Sequence, residues 1–232
     1  AVEQMIRNQG KDYIPQLFKY AQIVVATNKN AVKYATSGTG KNFWSVWREE
    51  QTEWQDKLIE QHVAGREPTI QDRGIVSLLS PDRLLKLTKY FTLYDGNIKK
   101  ICRYQQFFAV EEIIKTINTN DAAGNRQSGV IWHTQGSGKT ALSAYSNRVI
   151  KDYFAKKNVN TRFFFIVDRL DLMMQATTEF TNRGFSVTNV SNLANNIPYP
   201  PTTIPVTTES INHLRNISIL SNTPKNLLLI SL

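Results

Sequence analysis

The stretch GVIWHTQGSGKT, residues 129–140, decides what kind of fold this sequence can form. A run of strand-forming residues leads directly into a glycine-rich turn, and an alanine- and leucine-rich segment follows. A turn between a strand and a helix can point successive backbone N–H groups at a phosphate, and the helix N-terminus adds its positive dipole. Glycines at 136 and 138 let the backbone approach phosphate oxygens closely and adopt a positive φ. The pattern therefore predicts a site for a nucleoside triphosphate.

The spacing around this turn is that of the phosphate-binding loop G-x-x-x-x-G-K-[ST], with His133 in place of the first glycine. Lys139 is expected to reach the β- and γ-phosphates, and the Thr140 hydroxyl is expected to ligate the Mg²⁺ that accompanies ATP. These two are the candidate catalytic residues. The remaining cofactor contacts are expected from Thr134, Gln135, Gly136, Ser137 and Gly138. The alternative is a glycine turn with a purely structural role.

The amino-acid composition indicates what kind of partner a protein with such a site could bind. The 232 residues carry 28 Lys and Arg against 19 Asp and Glu, for a net charge of +9. A basic protein of this kind commonly meets nucleic acid, although a charged soluble surface explains the same balance. No apolar run approaches the roughly 20 residues that a membrane helix needs. The single cysteine, Cys102, excludes an internal disulfide framework, which fits a cytoplasmic location.

The first 128 residues alternate short predicted elements. A helix opens the chain, apolar runs interrupted by turn residues predict strands, and apolar residues at helical spacing predict helices. In order, the pattern predicts a hairpin with strands at 21–28 and 31–40, a helix over 43–63, a polar linker over 64–74, a helix with Ser80 as N-cap and Pro81 in its first turn, a turn at 95–97 and a helix over 105–117.

The second half of the chain alternates strands and helices. Strands are predicted at 129–134, 162–168, 185–190 and 226–232, with helices at 139–156 and 171–180 and an irregular insertion at 191–205. Continuous apolar strands separated by helices indicate a parallel sheet covered on both faces. The predicted fold class is therefore α/β.

Three segments together resemble the motor region of the R subunit of type I restriction enzymes. They are RYQQFFAV at 103–110, GVIWHTQGSGKT at 129–140 and FFFIVDRLDLMMQ at 163–175. The loop of that family typically reads W-H-T-Q-G-S-G-K-[ST], so His133 matches it. The segment SPDRLLKLTKYFTLYD at 80–95 is similar to the region before the motor, and YIPQLFKYAQIVVATN at 13–28 looks like the end of the family's nuclease domain.

The resemblance implies a fold and three regions. Residues 1–65 would be the C-terminal portion of an α/β restriction-endonuclease-like domain, and 66–100 a helical linker. Residues 101–232 would be the first part of a RecA-like motor domain with a P-loop parallel sheet covered by helices. In the family an Asp-Glu pair follows the strand that 226–232 resembles, and the nuclease carboxylates lie upstream of Ala1. We therefore expect an internal window of a longer polypeptide that is inactive by itself.

The resemblance also implies roles for residues outside the loop. Arg103 and Gln106 would contact the adenine, whereas periodicity alone makes Gln106 a helix-surface residue. Arg169 would contact the DNA backbone, with Gln175 arranging the same segment. The alternative for Arg169 is a surface ion pair with Asp168.

Gln4 would belong to the nuclease's auxiliary Q-x-x-x-Y motif. Asn8 stands where that motif has tyrosine, and the alternative for Gln4 is a polar helix residue without a catalytic role. The resemblance places no further nuclease residue in this sequence.

In function, the resemblance implies ATP-dependent translocation of double-stranded DNA coupled to endonucleolytic cleavage of unmodified DNA. It implies assembly with the methylation and specificity subunits of a restriction-modification complex. Three other functions stay open: another superfamily 2 helicase or remodeller, a small-molecule kinase with a P-loop, and a non-catalytic nucleotide-binding scaffold on nucleic acid.

Overall fold

A computed structural model describes residues 1–122, 124, 126–127, 129–131, 136–166, 170–188, 203–206 and 227–231. The chain divides into two compact units, Ala1–Phe108 and Ala109–Leu232. Among the described residues, no helix is both long enough and apolar enough to cross a membrane.

The first unit combines short helices with two small antiparallel sheets. Its helices are α1 (Val2–Asn8), α2 (Pro15–Phe18), α3 (Glu53–His62), α4 (Ile70–Leu79) and α5 (Pro81–Tyr90), and α6 (Tyr104–Asn118) begins within it. Its strands are β1 (Val24–Asn28), β2 (Ala31–Ala35), β3 (Ser45–Val46), β4 (Thr92–Asp95) and β5 (Ile98–Ile101). The sheet orders are β1-β2-β3 and β4-β5.

The second unit contains a parallel sheet and two long helices. Its helices are α7 (Lys139–Ala155) and α8 (Leu170–Asn182), and its strands are β6 (Arg162–Ile166), β7 (Thr203–Val206) and β8 (Leu227–Ser231). The sheet order is β7-β6-β8, with β6 parallel to both neighbours. The chain is thus a mixed α/β protein, and the predicted parallel pairing is confirmed for β6 and β8, whereas β7 was not predicted as a strand.

The predicted N-terminal hairpin is confirmed, with shorter strands. Asn28 pairs with Ala31 in antiparallel register, so two residues make the connection. The side-chain Oδ1 of Asn28 accepts the Asn30 N–H at 3.0 Å. An Asx contact of this kind stabilises a tight turn, which is why the Asn-Lys-Asn sequence ends the first strand here.

The helix predicted over 43–63 is wrong before Glu53. Ser45–Val46 forms β3 against β2 instead, and the flanking Trp44 and Trp47 are buried. Sheet pairing buries both indoles, and that tertiary gain outweighs the helical spacing of the apolar residues. The helix starts only where Thr52 and Gln55 form a capping box, in which Gln55 Oε1 accepts the Thr52 N–H at 2.8 Å.

The linker predicted over 64–74 is helical from Ile70 onward. Thr69 caps α4, and the Asp72 carboxylate accepts the Thr69 N–H at 2.8 Å, which completes a capping box. Asp72 also binds Arg66 through two hydrogen bonds of 2.7 Å. These contacts hold the pKa of Asp72 well below its ordinary value, first because of the Arg66 hydrogen bonds and then because of Thr69.

Later elements of the first unit follow the sequence closely. Helix α5 begins at Pro81 after Ser80, and Gly96 adopts φ +60° in the turn between β4 and β5.

Tyr34 of β2 donates its hydroxyl to the backbone oxygen of Cys102 at 2.9 Å, so β2 is bonded to the segment just before α6. Burial raises the pKa of the Cys102 thiol, which therefore stays protonated.

The core of the second unit joins α6, α7 and β6 through Ile113, Ile150, Phe154 and Phe163. Two strand predictions fail on their described residues, since 129–131 and 185–188 lie outside any strand. Both edges of β6 are taken by β7 and β8, so neither segment can pair with it. Strand β7 begins inside the stretch predicted to be an irregular insertion.

Replacing Gly74 with alanine should destabilise the first unit. A Cβ at this position would lie 2.7 Å from Val32 Cγ2 and 2.8 Å from Val32 Cβ, and a buried β-branched side chain cannot rotate away. We expect a loss of about 1–3 kcal/mol, despite the better helix propensity of alanine. Thermal denaturation measures it, with Arg73→Ala on the exposed face of α4 as control. An unchanged melting temperature would contradict the close contact between α4 and β2.

Replacing Asp72 with asparagine should make stability less dependent on pH. Because the folded-state pKa of Asp72 is lowered, its contribution is fully present above the ordinary value of 3.8 and is lost as the pH falls through the lower folded-state value. We expect Asp72→Asn to be less stable than the wild type at pH 7, and the difference to shrink below about pH 4. Denaturant titrations across this range test it. The matched control is Asp56→Asn in the first turn of α3, where the described residues offer no ion pair.

Candidate nucleotide-binding site

The described part of the glycine-rich loop has the backbone that the sequence predicts. Gly136 has φ +74°, and Gly138 has φ +84° and ψ +44°, in the left-handed region. Gly138 is the N-cap of α7, so the chain passes from a left-handed residue directly into a helix. Residues with side chains rarely adopt this conformation, which explains why glycine stands at both positions.

The first turn of helix α7 presents backbone N–H groups at the loop. Its first helical hydrogen bond runs from the Leu142 N–H to the Gly138 carbonyl at 3.0 Å. The N–H groups of residues 139–141 therefore have no acceptor within the helix, as in the first turn of any helix. The Ser143 hydroxyl donates to the Lys139 carbonyl at 3.1 Å and braces this first turn. The arrangement can bind an anion.

Lys139 and Thr140 are the first two residues of α7, and both side chains are half-buried. Ser137 and Gly138 precede them in the described loop. The other two predicted loop contacts, Thr134 and Gln135, lie outside the described residues. The structure thus brings Gly136 through Thr140 together at one helix N-terminus.

Helix α7 is firmly anchored behind the loop. The residues from Leu142 to Asn147 are all buried, and Ile150 and Phe154 continue the buried surface to the end of the helix. A 17-residue helix is about 25 Å long, so the loop is attached to an extended part of the core. This anchoring limits the movement of the donors at its N-terminus.

Arg103 and Gln106 belong to the first unit, whereas the glycine-rich loop belongs to the second. Arg103 is exposed, and Gln106 is 5% exposed. Gln106 Oε1 accepts the Arg103 N–H at 2.9 Å, just before α6 begins. Gln106 is therefore not a residue of the helix surface, and it holds the start of α6. Its contact with adenine stays a prediction.

The remaining predicted residues are Gln175, Arg169 and Gln4. Gln175 is exposed on α8 and donates to Glu179 Oε1 at 3.0 Å, while Arg169 lies outside the described residues. Gln4 is exposed on α1 in the first unit. Among the described residues, no group of three or more His, Cys, Asp or Glu side chains could hold a metal ion.

One arrangement in the first unit escaped the sequence analysis. Arg83 on α5 donates to Glu49 Oε2 at 2.6 Å, and its guanidinium carbon lies 5.1 to 5.6 Å from the rings of Trp47, Phe107 and Phe108. The ion pair is largely buried. Its partners are 34 residues apart, and no local pattern links them, so only the folded chain reveals the pair.

Two family profiles match different parts of the chain. Residues 105–230 match the profile of the SWI2/SNF2 ATPases, and residues 1–43 match that of the N terminus of type I restriction enzyme R proteins. The first match covers more than half of the chain.

Three curated relatives are endonuclease subunits of type I restriction enzymes. The putative MjaVIIP subunit of Methanocaldococcus jannaschii is 30% identical, over 71% of this chain and 15% of its own length. The SsaAORF53P subunit of Staphylococcus saprophyticus is 29% identical, over 78% and 17%. The HindI subunit of Haemophilus influenzae is 26% identical, over 74% and 16%. The chain thus spans about a sixth of the length of these relatives.

The match over 105–230 defines the class of the protein: it belongs to the SWI2/SNF2 ATPase family. Within that class, the chain belongs to the R subunit family of type I restriction enzymes, as the N-terminal match and the three relatives show.

Replacing Gly138 with alanine should strain the loop. A Cβ at φ +84° costs about 1–2 kcal/mol, and the chain can relieve it only by changing the direction of the N–H groups. We expect a lower melting temperature and weaker ATP binding by calorimetry. Gly129→Ala is the control, because among the described residues a Cβ there would meet Thr116 Cγ2 at an ordinary 3.7 Å. Equal effects of the two substitutions would contradict the assigned role of Gly138.

Proposed function

We propose that the whole protein uses ATP to translocate double-stranded DNA and cleaves unmodified DNA endonucleolytically, as the restriction subunit of a type I restriction-modification complex. The observation that carries the proposal is the left-handed Gly138 leading into α7, in a chain that matches both an ATPase profile and an R-protein profile. The partners of the complex would be the methylation and specificity subunits.

ATP with Mg²⁺ fits the described loop. The two left-handed glycines and the N-terminus of α7 offer N–H donors to phosphate oxygens. Apart from the chain neighbours of Gly136, no described atom lies within 4 Å of the position that a Cβ would take there. Lys139 would hold the β- and γ-phosphates, and the Thr140 hydroxyl would ligate the metal. When bound, Mg²⁺ neutralises charge that develops on the phosphates during transfer.

We infer a RecA-like motor domain for the second unit. The parallel strands β7-β6-β8 and the helices α7 and α8 support this, because parallel sheets require helices as connections. We assign residues 1–65 to the end of a nuclease-like domain, 66–100 to a helical linker and 101–232 to the first part of the motor. Arg103 and Gln106 would contact the adenine.

DNA is the polyanion that the net charge of +9 would meet. Phosphate contacts by basic residues give affinity without sequence preference, which a translocating motor needs. Arg169 would supply such a contact, and Gln175 would arrange the segment around it. Sequence choice would then fall to the specificity subunit.

Cleavage needs carboxylates that hold a metal ion, and the described residues contain no such cluster. The match of residues 1–43 to the R-protein N terminus supports a nuclease domain of which this segment is a part. Gln4, exposed on α1, would be an auxiliary residue of that domain.

The alternative functions are distinguishable. The ATPase match disfavours a small-molecule kinase, and the R-protein match disfavours another helicase or remodeller. A non-catalytic scaffold would keep its function without nucleotide binding.

Replacing Lys139 with alanine separates a motor from a scaffold. Loss of the positive charge at the β- and γ-phosphates should reduce ATP hydrolysis, translocation and cleavage by the whole protein by at least about a hundredfold. Assembly with the methylation and specificity subunits should be unchanged. The measurements are DNA-stimulated ATPase rates, triplex displacement for translocation and cleavage of circular DNA.

Lys156→Ala is the matched control, because Lys156 lies just beyond the other end of α7 and pairs with Asp152 at 2.8 Å. It should leave all three activities unchanged. A Lys139→Ala protein with full ATP-dependent translocation would contradict the proposed function.

A further inference from the structure

The end of α7 that lies away from the glycine-rich loop carries polar side chains that the proposed function does not use. Tyr153 on α7 donates its hydroxyl to Asn118 Oδ1 of α6 at 2.5 Å, and the Lys157 ammonium donates to the Tyr153 hydroxyl at 2.5 Å. Lys157 Nζ also lies 3.4 Å from Asn118 Oδ1 and 4.2 Å from the centre of the Tyr153 ring. These contacts hold the Lys157 charge in one place, although the residue is exposed.

Arg126 is a second cation beside the same helix end. After α6 the chain folds back, so that Asn120 and Arg126 form an antiparallel bridge, and Arg126 donates to the Ile117 carbonyl at 3.0 Å. Its guanidinium carbon lies 4.6 Å from the centre of the Phe154 ring, which follows Tyr153 on α7. A guanidinium has five N–H donors, so one bond to a carbonyl leaves others for a ligand.

We call Asn118, Arg126, Tyr153 and Lys157 the distal cluster. Among the described residues, Arg126 and Lys157 contact carbonyl, amide, hydroxyl and ring groups, and neither pairs with a carboxylate. The Lys157 hydrogen bond is the main reason that the pKa of Tyr153 lies below its ordinary value, and the charge of Arg126 lowers it further. Both cations therefore act on the same phenol, and the cluster is positively charged.

The Lys157 ammonium is not needed to cap α7. The Phe154 carbonyl accepts the N–H groups of Lys157 at 2.9 Å and Val159 at 3.0 Å, and the Ala155 carbonyl accepts the Asn158 N–H at 3.0 Å. Backbone donors thus satisfy these two carbonyls at the end of the helix without a side chain. The charge of Lys157 is available to a ligand outside the helix.

The chemistry of the distal cluster fits a phosphate group. Two exposed cations with N–H donors bind phosphate oxygens well. The amide of Asn118 donates through Nδ2 to the Ile114 carbonyl at 2.8 Å and accepts at Oδ1 from Tyr153, so it presents no pattern for a base edge. The cluster would therefore bind a nucleic-acid backbone without reading its sequence.

The distal cluster is separate from the glycine-rich loop. Tyr153 follows Lys139 by 14 residues in the same helix, which is about 21 Å along the helix axis. The phosphates of a nucleotide held by Lys139 do not extend that far. A DNA duplex carries a negative charge about every 1.7 Å along its axis, so it presents phosphates over any such distance.

We propose that Arg126 and Lys157 bind phosphates of a DNA backbone, with Tyr153 and Asn118 as positioning residues for Lys157. The proposal rests on the proposed function for the identity of the polyanion. A contact of this kind adds affinity without sequence preference and lets a duplex slide.

Lys157→Gln in the whole protein tests the contact. Binding of a short duplex without a recognition sequence is measured by fluorescence anisotropy in the absence of ATP, at salt concentrations from about 50 to 200 mM. We expect weaker binding and a slope of log K against log salt that is smaller by about 1, because one phosphate contact is lost. Adding Arg126→Gln should reduce the slope by about 2 in total, whereas Lys157→Arg should keep it.

Two further variants show whether position and pairing matter. Lys156→Gln is the matched control, because it removes the same charge from the next residue, which pairs with Asp152 at 2.8 Å; the slope should be unchanged. Tyr153→Phe removes a hydrogen bond and no charge. It should weaken duplex binding about threefold at an unchanged slope.

An unchanged slope in the Arg126→Gln/Lys157→Gln protein would overturn the proposal. An equal loss of slope in Lys156→Gln would also overturn it, because any lysine at this helix end would then serve. Calorimetric titration with ATP separates DNA from a free nucleotide. Normal duplex binding together with fewer bound ATP molecules in Lys157→Gln would assign the cluster to a nucleotide and contradict a DNA contact.

Normal duplex binding together with impaired assembly with the methylation and specificity subunits would assign the cluster to a protein partner and contradict a DNA contact as well. In all of these cases a large loss of ATP hydrolysis in Lys139→Ala would leave the proposed function standing. Failure of the distal cluster and failure of the proposed function are therefore distinguishable.

Discussion

The left-handed backbone at Gly138 is the constraint on which the chemistry of the second unit depends. A residue at φ +84° turns the chain so that α7 starts immediately, with the N–H groups of its first turn, which have no acceptor within the helix, at the loop. The direction of those donors would be of little use if the helix could move. The buried run from Leu142 to Asn147 fixes it in the core, so local backbone geometry and tertiary packing act together.

The first unit depends on a different kind of interaction. Two of its contacts between segments distant in sequence are polar bonds: Tyr34 to the Cys102 carbonyl, and Arg83 to Glu49. Both bonds are largely buried. Each polar group finds its partner only when the distant segments have packed together, and without that partner its burial would cost free energy. The Arg83 pair also lies on three aromatic rings, which joins α5 to the start of α6. Removing one partner of such a pair would leave a buried charge without compensation.

Local signals in the sequence were reliable where the interaction itself is local. The glycine-rich loop, the helix after it, the turn at Gly96 and the hairpin connection at 29–30 involve residues a few positions apart, and their backbone preferences decide the result. The helix predicted from residue 43 failed because β3 pairs with a strand about ten residues earlier in the chain. Of the strand predicted at 129–134, the described residues 129–131 lie outside any strand.

The sequence by itself determined the glycine-rich turn before α7, the positions of α6, α7 and α8, and the resemblance to type I restriction enzyme R subunits that the comparisons confirm. Those features follow from residue types at fixed short spacing. Only the tertiary structure decided that Gln106, in the first turn of α6, is buried and that Glu49 pairs with Arg83. The physical reason is that burial and ion pairing depend on which distant segments pack together, and no local preference encodes that choice.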